Sequence, residues 1–356
     1  MAKFCIQIGI MGFASFVAIS AIAVSFVSSV PLTQRQAPNN VPDYVLKYAP
    51  IVYLHSTETY LPTDLQTFLD HTTPRINFTE VTGPSKPLTT SNLNQISSDV
   101  WLTSNDDVTK GPAWIKGTKP NAQGKTDGAT TAAAIVNDKG NGNVDAFYMY
   151  FYGYNYGGEV LGWSALNFGN HVGDWEHTMV RFLNGEPQSI WYSQHANGQA
   201  FHYSTVEKQG DRPIAYSAKG SHANYAIAGT HDHTIPNLNL PGGVLEDHTD
   251  KGVLWDPLQA AWYYKFDAAN TQFSPYDGVA PTGWLDWRGR WGDEQYPTSD
   301  KRQVVLFGQA KFAGGPTGPV DKQLNRVKVC PENGNLCIVR SILVPRAANT
   351  ESCRYA

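Results

Sequence analysis

The stretch "DAFYMYFYGYNYG", Asp145–Gly157, decides the fold class. Six aromatic side chains crowd between Asp145 and Asn155, and the run then closes on Asn and Gly. Aromatic side chains suit a pleated, covered surface, and a short apolar run bounded by turn residues reads as a buried strand. "DWEHTMVRF", Asp174–Phe182, reads as the next strand. "QSIWYSQH" and "AFHYSTVE" flank the turn "ANGQ" and make a hairpin with Asn197-Gly198 at its corner. "RPIAYSAK", Arg212–Lys219, supplies a further strand. Short connections between such strands make an antiparallel meander. The expected fold is mainly β: an antiparallel β-sandwich, jelly-roll-like, with a few short helices and long loops.

Composition leads to the same class. Of 356 residues, 16 % are charged and 12 % aromatic, with 32 Gly and 22 Pro. Low charge, many aromatics and many turn residues favour a β-rich protein over a helical bundle. A formal charge of −4 and the lack of a Lys/Arg run argue against a nucleic-acid partner. Residues 1–29 carry Lys3, an apolar run from Phe4 to about Val27, and then Ser28-Ser29. That pattern is expected to be a secretory signal peptide or, on the length of its apolar run, a membrane anchor. Either takes the bulk of the chain out of the cytosol.

Residues 30–43 form a flexible, Pro-rich lead-in, and 44–312 are expected to be one β-rich domain. Within it, "YAPIVYLH" is strand-like, with Pro50 pointing to an edge or a bulge. "LPTDLQTFLDH" reads as a short helix with Thr63 as N-cap and Gln66 completing a capping box. Residues 80–143 are polar and read as surface loops. "WDPLQAAWYYKFD" suits a helix start or a strand equally. "PTGWLDWRGRWGDEQYP" reads as a Trp/Gly-rich loop over the core. Residues 313–356 form a C-terminal tail. In it Cys330 and Cys337 flank the turn-like "PENGNL", so a disulfide-linked hairpin is expected, with Cys353 left over or competing for one of them. Asn77-Phe78-Thr79 is a glycosylation sequon in a chain expected to be secreted.

The chemistry concentrates in "GNHVGDWEH", Gly169–His177. Alternate side chains of a strand share a face, so Asp174 and Glu176 point one way and Trp175 and His177 the other. His171 precedes the strand and can fold back towards Asp174. Two neighbouring carboxylates repel, and a divalent cation removes that conflict. Oxygen ligands with one His suit Mg²⁺, Ca²⁺ or Mn²⁺ better than a structural Zn²⁺ site. His195 in "YSQHANG" and Lys219, Ser221 and His222 in "KGSHANY" stand at strand ends that a meander brings together. They are expected to contact the ligand or to support the metal ligands. The bland alternative is a buried polar network, in which Asp174 and Glu176 pair with Arg181, Lys219 or Arg212. His177 is read as a core residue on the face of Trp175 and Met179. "GTHDHTIP" and "LEDHTDKG" are read as solvated turn chemistry. Trp163, Trp191 and Tyr225 are either walls of the site or core packing.

The segments "VGDWEH", "YSQHANG" and "KGSHANY", in that order, resemble the vacuolar protein sorting-associated protein 62 family. "YAPIVYLHSTETYLPTDL", "AFYMYFYGYNYG", "DHTDKGVLWDP" and "RGRWGD" extend the resemblance over residues 44–310. It implies a link to vacuolar protein sorting, and together with the leader the expected location is secreted or the vacuolar, endomembrane lumen. A second, local resemblance joins "HVGDWE" to the core heptapeptide of secreted necrosis-inducing cytolysins. Members of that family engage lipid headgroups; what the resemblance implies here is a β-sandwich in which His171, Asp174 and Glu176 surround a divalent cation. The functional expectation is a protein that binds a divalent cation and, through it, a polar ligand such as a glycan or lipid headgroup, with membrane contact. A metal-assisted hydrolase with Glu176 or His195 as base, and a cytolysin-like membrane-active protein, are the alternatives.

Overall fold

The computed structural model describes residues 37–344, apart from residues 39, 82–84 and 233–244. The expected leader, most of the lead-in, His233 and Cys353 lie outside the described residues. The helices are α1 (Asp43–Lys47) and α2 (Leu65–Asp70). The strands that build the two main sheets are β1 (Ile51–Leu54), β2 (Ala132–Asp138), β3 (Asn143–Asn155), β4 (His171–Leu183), β5 (Glu186–Gln194), β6 (Asn197–His202), β7 (Arg212–Ser217) and β8 (Asn224–Tyr225). They continue with β9 (Gly229–Asp232) and β10 (Glu246–Thr249), which pair only with each other, then β11 (Val253–Trp255), β12 (Ala261–Asp267), β13 (Gln272–Pro275) and β14 (Val339–Arg340).

The chain is mainly β. One sheet of eight strands runs β13-β12-β2-β3-β4-β5-β6-β14, and its centre, β2 to β6, is the antiparallel meander expected from the aromatic stretch. The second sheet centres on β7, β1 and β11, with β8 on the outer side of β7. Alternation along β3 sorts its side chains. Ala146, Tyr148, Tyr150 and Tyr152 pack with Val180 and Phe182 of β4 against Val52, Leu54, Ala215 and Trp255 of the small sheet. Phe147, Met149 and Phe151 face the other way, with Trp175 and Met179, onto Phe68 and Leu69 of α2 and the indoles of Trp284, Trp287 and Trp291. Trp175 stacks on Trp284 at 5.4 Å between ring centroids and meets Trp291 edge-on at 5.3 Å. The Trp/Gly-rich segment therefore covers the second face of the large sheet, and this is why β3 is buried along nearly its whole length.

Several local readings shift. Residues 132–138, expected in loops, are the buried strand β2, paired to β3 on one side and parallel to β12 on the other. Its alanine-rich sequence carries little intrinsic strand signal. Pro50 stands just outside β1, which is flanked on both sides. The N-cap of α2 is Asp64, not Thr63: its carboxylate accepts the amide of Thr67 at 2.9 Å and that of Thr130 at 2.7 Å. Thr63 serves β3 instead, accepting the amide of Gly153 at 2.8 Å. "WDPLQAAWYYKFD" is both things expected of it, a 3-10 turn at Pro257–Ala260 running directly into β12. The β5–β6 ladder pairs Gln194 with Asn197, so the corner is His195-Ala196, and Asn197 and Gly198 lie in β6. Gly198 is needed there because a Cβ would sit 2.4 Å from the ring of Trp191. Cys330 and Cys337 are bonded, with Cα atoms 5.5 Å apart, and close an irregular loop.

Candidate functional site

Strand alternation places the acidic pair as expected. Trp175 and His177 turn to the Trp-rich side, while Asp174 and Glu176 turn to the side of β8 and the 218–223 loop. His171 begins β4. Its Nδ1–H donates to the carbonyl of Gly173 at 2.7 Å, and this leaves the lone pair on Nε2. Burial lowers its pKa, so the ring is neutral and of the tautomer that can ligate a cation. Gly173 has a φ of +65°, and a Cβ there would lie 2.3 Å from the carbonyl oxygen of Trp291. Only glycine lets β4 approach the Trp-rich segment and fold His171 back.

Asp174 is oriented by His222. His222 Nδ1 lies 3.0 Å from Asp174 Oδ2, and Nε2 lies 2.9 Å from the carbonyl of Tyr60. Its ring stacks on Tyr152 at 3.7 Å, with planes 2° apart. Both nitrogens face acceptors. Burial alone would lower its pKa, but the Asp174 bond and the charge of Glu58 outweigh burial and raise it. His222 therefore acts on Asp174 and has no nitrogen left for a metal. Glu176 accepts the hydroxyl of Ser193 in a very short contact, and Ser193 also accepts the amide of His177. Burial, then the neighbouring charge of Asp174, push the Glu176 carboxyl up to about 7.

His195 and His222 both have positive φ, +55° and +56°. Non-glycine residues take that conformation at a cost, which tends to be found where a side chain must be aimed. His195 Nε2 meets Asp247 at 2.7 Å. Asp247 also accepts Ser221 Oγ at 2.6 Å and the hydroxyl of Tyr225 at 2.7 Å. Burial alone would lower the pKa of His195, but Asp247 raises it on balance. Asp247 corrects the solvated-turn reading of "LEDHTDKG". Alternation along β10 exposes Glu246 and His248 and buries Asp247 and Thr249. No sequence pattern marked Asp247 from its exposed neighbours, because β10 is too short for alternation to show.

His171, Asp174, Glu176, His195 and Ser221 line one cavity of about 500 Å³, together with Lys322, which sequence reasoning missed. Lys219 is exposed and lines a neighbouring cavity of about 590 Å³ with Asp247. His222 is fully buried behind Asp174. Trp191 packs in the core and Tyr225 is tied to Asp247, while Trp163 is 66 % exposed. The two arginines that could have neutralised the acidic pair are committed elsewhere, and it is His222 that answers Asp174. Arg181 clamps Asp145 at 2.7 and 2.8 Å, and Arg212 clamps Asp256 at 2.7 Å through both amino groups. Lys322 and His195 lend Glu176 some positive charge. Among the described residues, no three His, Cys, Asp or Glu side chains are already gathered around one point as a metal cage. The donor set itself, two carboxylates and one imidazole nitrogen, has the chemistry of a site for a hard divalent cation.

The remaining sequence-derived residues fall away from the cavity. His177 is buried and accepts Arg326 Nη2 at 2.6 Å; burial, then the charge of Arg326, keep it neutral. Arg326 is itself buried between the rings of Phe147 and Trp191 and pins the C-terminal segment to the large sheet. Asn77 is exposed at a turn. His231 is buried in β9, stacked on Tyr225 at 3.7 Å.

Two solved structures show remote likeness. One is the crystal structure of necrosis and ethylene inducing protein 2 from the causal agent of cocoa's witches' broom disease: 15 % identity, 54 % of this chain, 70 % of that chain, TM-score 0.26. The other is NLPPya in complex with mannosamine: 11 % identity, 66 % of this chain, 79 % of that chain, TM-score 0.29. At those scores neither likeness informs the chemistry of this chain. Sequence relatives are nearer. The putative vacuolar protein sorting-associated protein TDA6 of Saccharomyces cerevisiae is 37 % identical over 327 residues, covering 82 % of this chain and 69 % of its own length. Vacuolar protein sorting-associated protein 62 of the same yeast is 36 % identical over 323 residues, covering 82 % and 68 %. The model of the family named vacuolar protein sorting-associated protein 62 matches residues 24–305, and the chain belongs to that family.

Proposed function

We propose that this family member works in the endomembrane lumen or outside the cell, and that its 500 Å³ cavity binds a divalent cation through His171, Asp174 and Glu176. The cation in turn would hold a polar ligand, a glycan or a lipid headgroup, through its open coordination positions. One observation carries the reading. Two buried carboxylates face the same cavity as a neutral imidazole whose Nδ1–H is already used, while Arg181 and Arg212 are clamped to other acids. His222 answers Asp174, but Glu176 is met only by a neutral hydroxyl and its carboxyl is pushed up to about 7 by burial and by Asp174, a cost that a cation shared by the two acids would relieve. His222 and Ser193 would hold the two carboxylates in place. Family membership and relatives named for vacuolar protein sorting support the endomembrane connection, and the apolar leader of residues 1–29 supports a place in the lumen or outside the cell.

The test is elemental analysis of the purified chain, followed by calorimetric titration of the metal-free protein with Ca²⁺, Mg²⁺ and Mn²⁺. A stoichiometric ion is expected, and its binding should be lost in Asp174→Asn. A chain that carries no ion and gives no binding heat with any of the three would overturn the proposal.

A further inference from the structure

Two small hairpins line the same cavity and share an unusual tip. In the first, Gly158–Val160 pairs with Trp163–Phe168, and Val160 is opposite Trp163, so the turn is Leu161-Gly162. In the second, Val305–Leu306 pairs with Gln309–Ala310, and Leu306 is opposite Gln309, so the turn is Phe307-Gly308. Both residues of each turn have positive φ: +51° and +74° in the first, +51° and +75° in the second. Two-residue hairpin turns of that kind favour Asn, Asp or Gly at the first position, because a large side chain is strained in the left-handed region. Here that position holds Leu in one hairpin and Phe in the other.

Neither side chain recovers the cost by packing. Leu161 is 68 % and Phe307 89 % exposed. Trp163, next to the first tip, is also exposed, as are Val304, Val305 and Leu306 beside the second. Each tip is thus disfavoured twice in water, by its backbone and by its surface. The hairpins wall one cavity, the first through Val160, Leu166 and Phe168, the second through Leu306, Phe307 and Gln309. Asp174, Glu176 and His195 line that same cavity.

We infer that the two tips dock the protein on a phospholipid bilayer, with Leu161 and Phe307 entering the interfacial layer, Trp163 lying at headgroup level, and the cavity held against the headgroups. A protein partner would need a continuous face of about 800 Å² on each side. Two separate two-residue tips do not make such a face, whereas a bilayer accepts isolated apolar points and favours Trp at its boundary. The inference goes beyond the cation reading and stands without it.

The test is co-sedimentation of the full chain with phosphatidylcholine vesicles containing phosphatidylserine, comparing wild type with the double variant Leu161→Asn, Phe307→Asn. Wild type should pellet with the vesicles, and the double variant should partition about tenfold less. Its melting temperature should equal or exceed that of wild type, because Asn suits the first position of both turns. If the double variant melts lower, Phe307→Asn alone carries the comparison. The same partitioning should be seen in excess EDTA, where no cation can bridge to a headgroup, and this separates the inference from the cation proposal. Wild type that stays in solution, or a double variant that pellets equally, overturns it. A loss of self-association on size exclusion, without vesicle binding, overturns it in favour of a second copy as the occupant.

Discussion

His222 Nδ1 lies 3.0 Å from a carboxylate oxygen of Asp174, while Nε2 faces the carbonyl of Tyr60 at 2.9 Å. One buried ring therefore ties the acid to the loop before α2 and is itself clamped on Tyr152. His222→Phe keeps the flat ring and removes both donors. We expect a stability loss of about 3 kcal/mol, because a buried carboxylate and a carbonyl lose their partners. We also expect divalent-cation affinity to fall about 10- to 100-fold, since Asp174 is no longer aimed. Calorimetric titration of the variant checks this. Unchanged affinity beside lowered stability would reduce His222 to a structural role.

Gly173→Ala should be among the most damaging single changes in the chain. A Cβ would stand 2.3 Å from the carbonyl oxygen of Trp291, and φ is +65°. Clash and left-handed backbone together are expected to cost more than about 3 kcal/mol. Gly210→Ala also has positive φ, +64°, but nothing lies within 4 Å of its Cβ. Its cost should stay near about 1 kcal/mol. Urea unfolding of the two variants, side by side, separates backbone strain from close approach.

Asp247→Asn should cost about 3 kcal/mol, because a buried carboxylate that accepts from His195, Ser221 and Tyr225 becomes an amide that can accept with one oxygen only. Glu246→Gln and His248→Gln, its exposed neighbours on β10, should each stay within about 0.5 kcal/mol of wild type. Equal effects at the three positions would contradict the alternation of β10.

Acid should weaken the fold through His231. Burial, only partly opposed by the charge of Asp247, lowers its pKa from 6.5 to about 4. Between those values the unfolded chain binds a proton that the folded chain refuses, so unfolding free energy falls as pH falls from about 6.5 towards 4 and levels off below. The contribution lost is up to about 3 kcal/mol. His231→Gln should flatten that part of the stability–pH curve, measured by urea unfolding at a series of pH values. A slope unchanged by the substitution would assign the acid sensitivity to other groups.

Much of the fold was legible because its signals are local and repeated. The aromatic run of β3, the alternation in "DWEHTMVRF" and the turn-rich composition all act within a few residues, and they locate the meander, its faces and the side to which Asp174 and Glu176 turn. Boundaries were less legible where two neighbours could do the same job. Thr63 and Asp64 both suit an N-cap, and the amide of Gly153, brought up from β3, selects between them. Asn197-Gly198 looks like a turn, yet the indole of Trp191 claims the space above Gly198 and moves the corner to His195. The alanine-rich β2 is a strand because β3 and β12 bond to both its edges, a reason that lies outside its own sequence.

By itself the sequence determined the β class, the two faces of β4 and the side on which the acidic pair lies, because the strand period is a property of the backbone. The tertiary structure decided which charges answer each other. It clamped Arg181 on Asp145 and Arg212 on Asp256, and set His222 behind Asp174 and Asp247 behind His195. Each of these pairings joins residues more than thirty positions apart. Nothing short of the folded sheet order brings them within hydrogen-bonding distance.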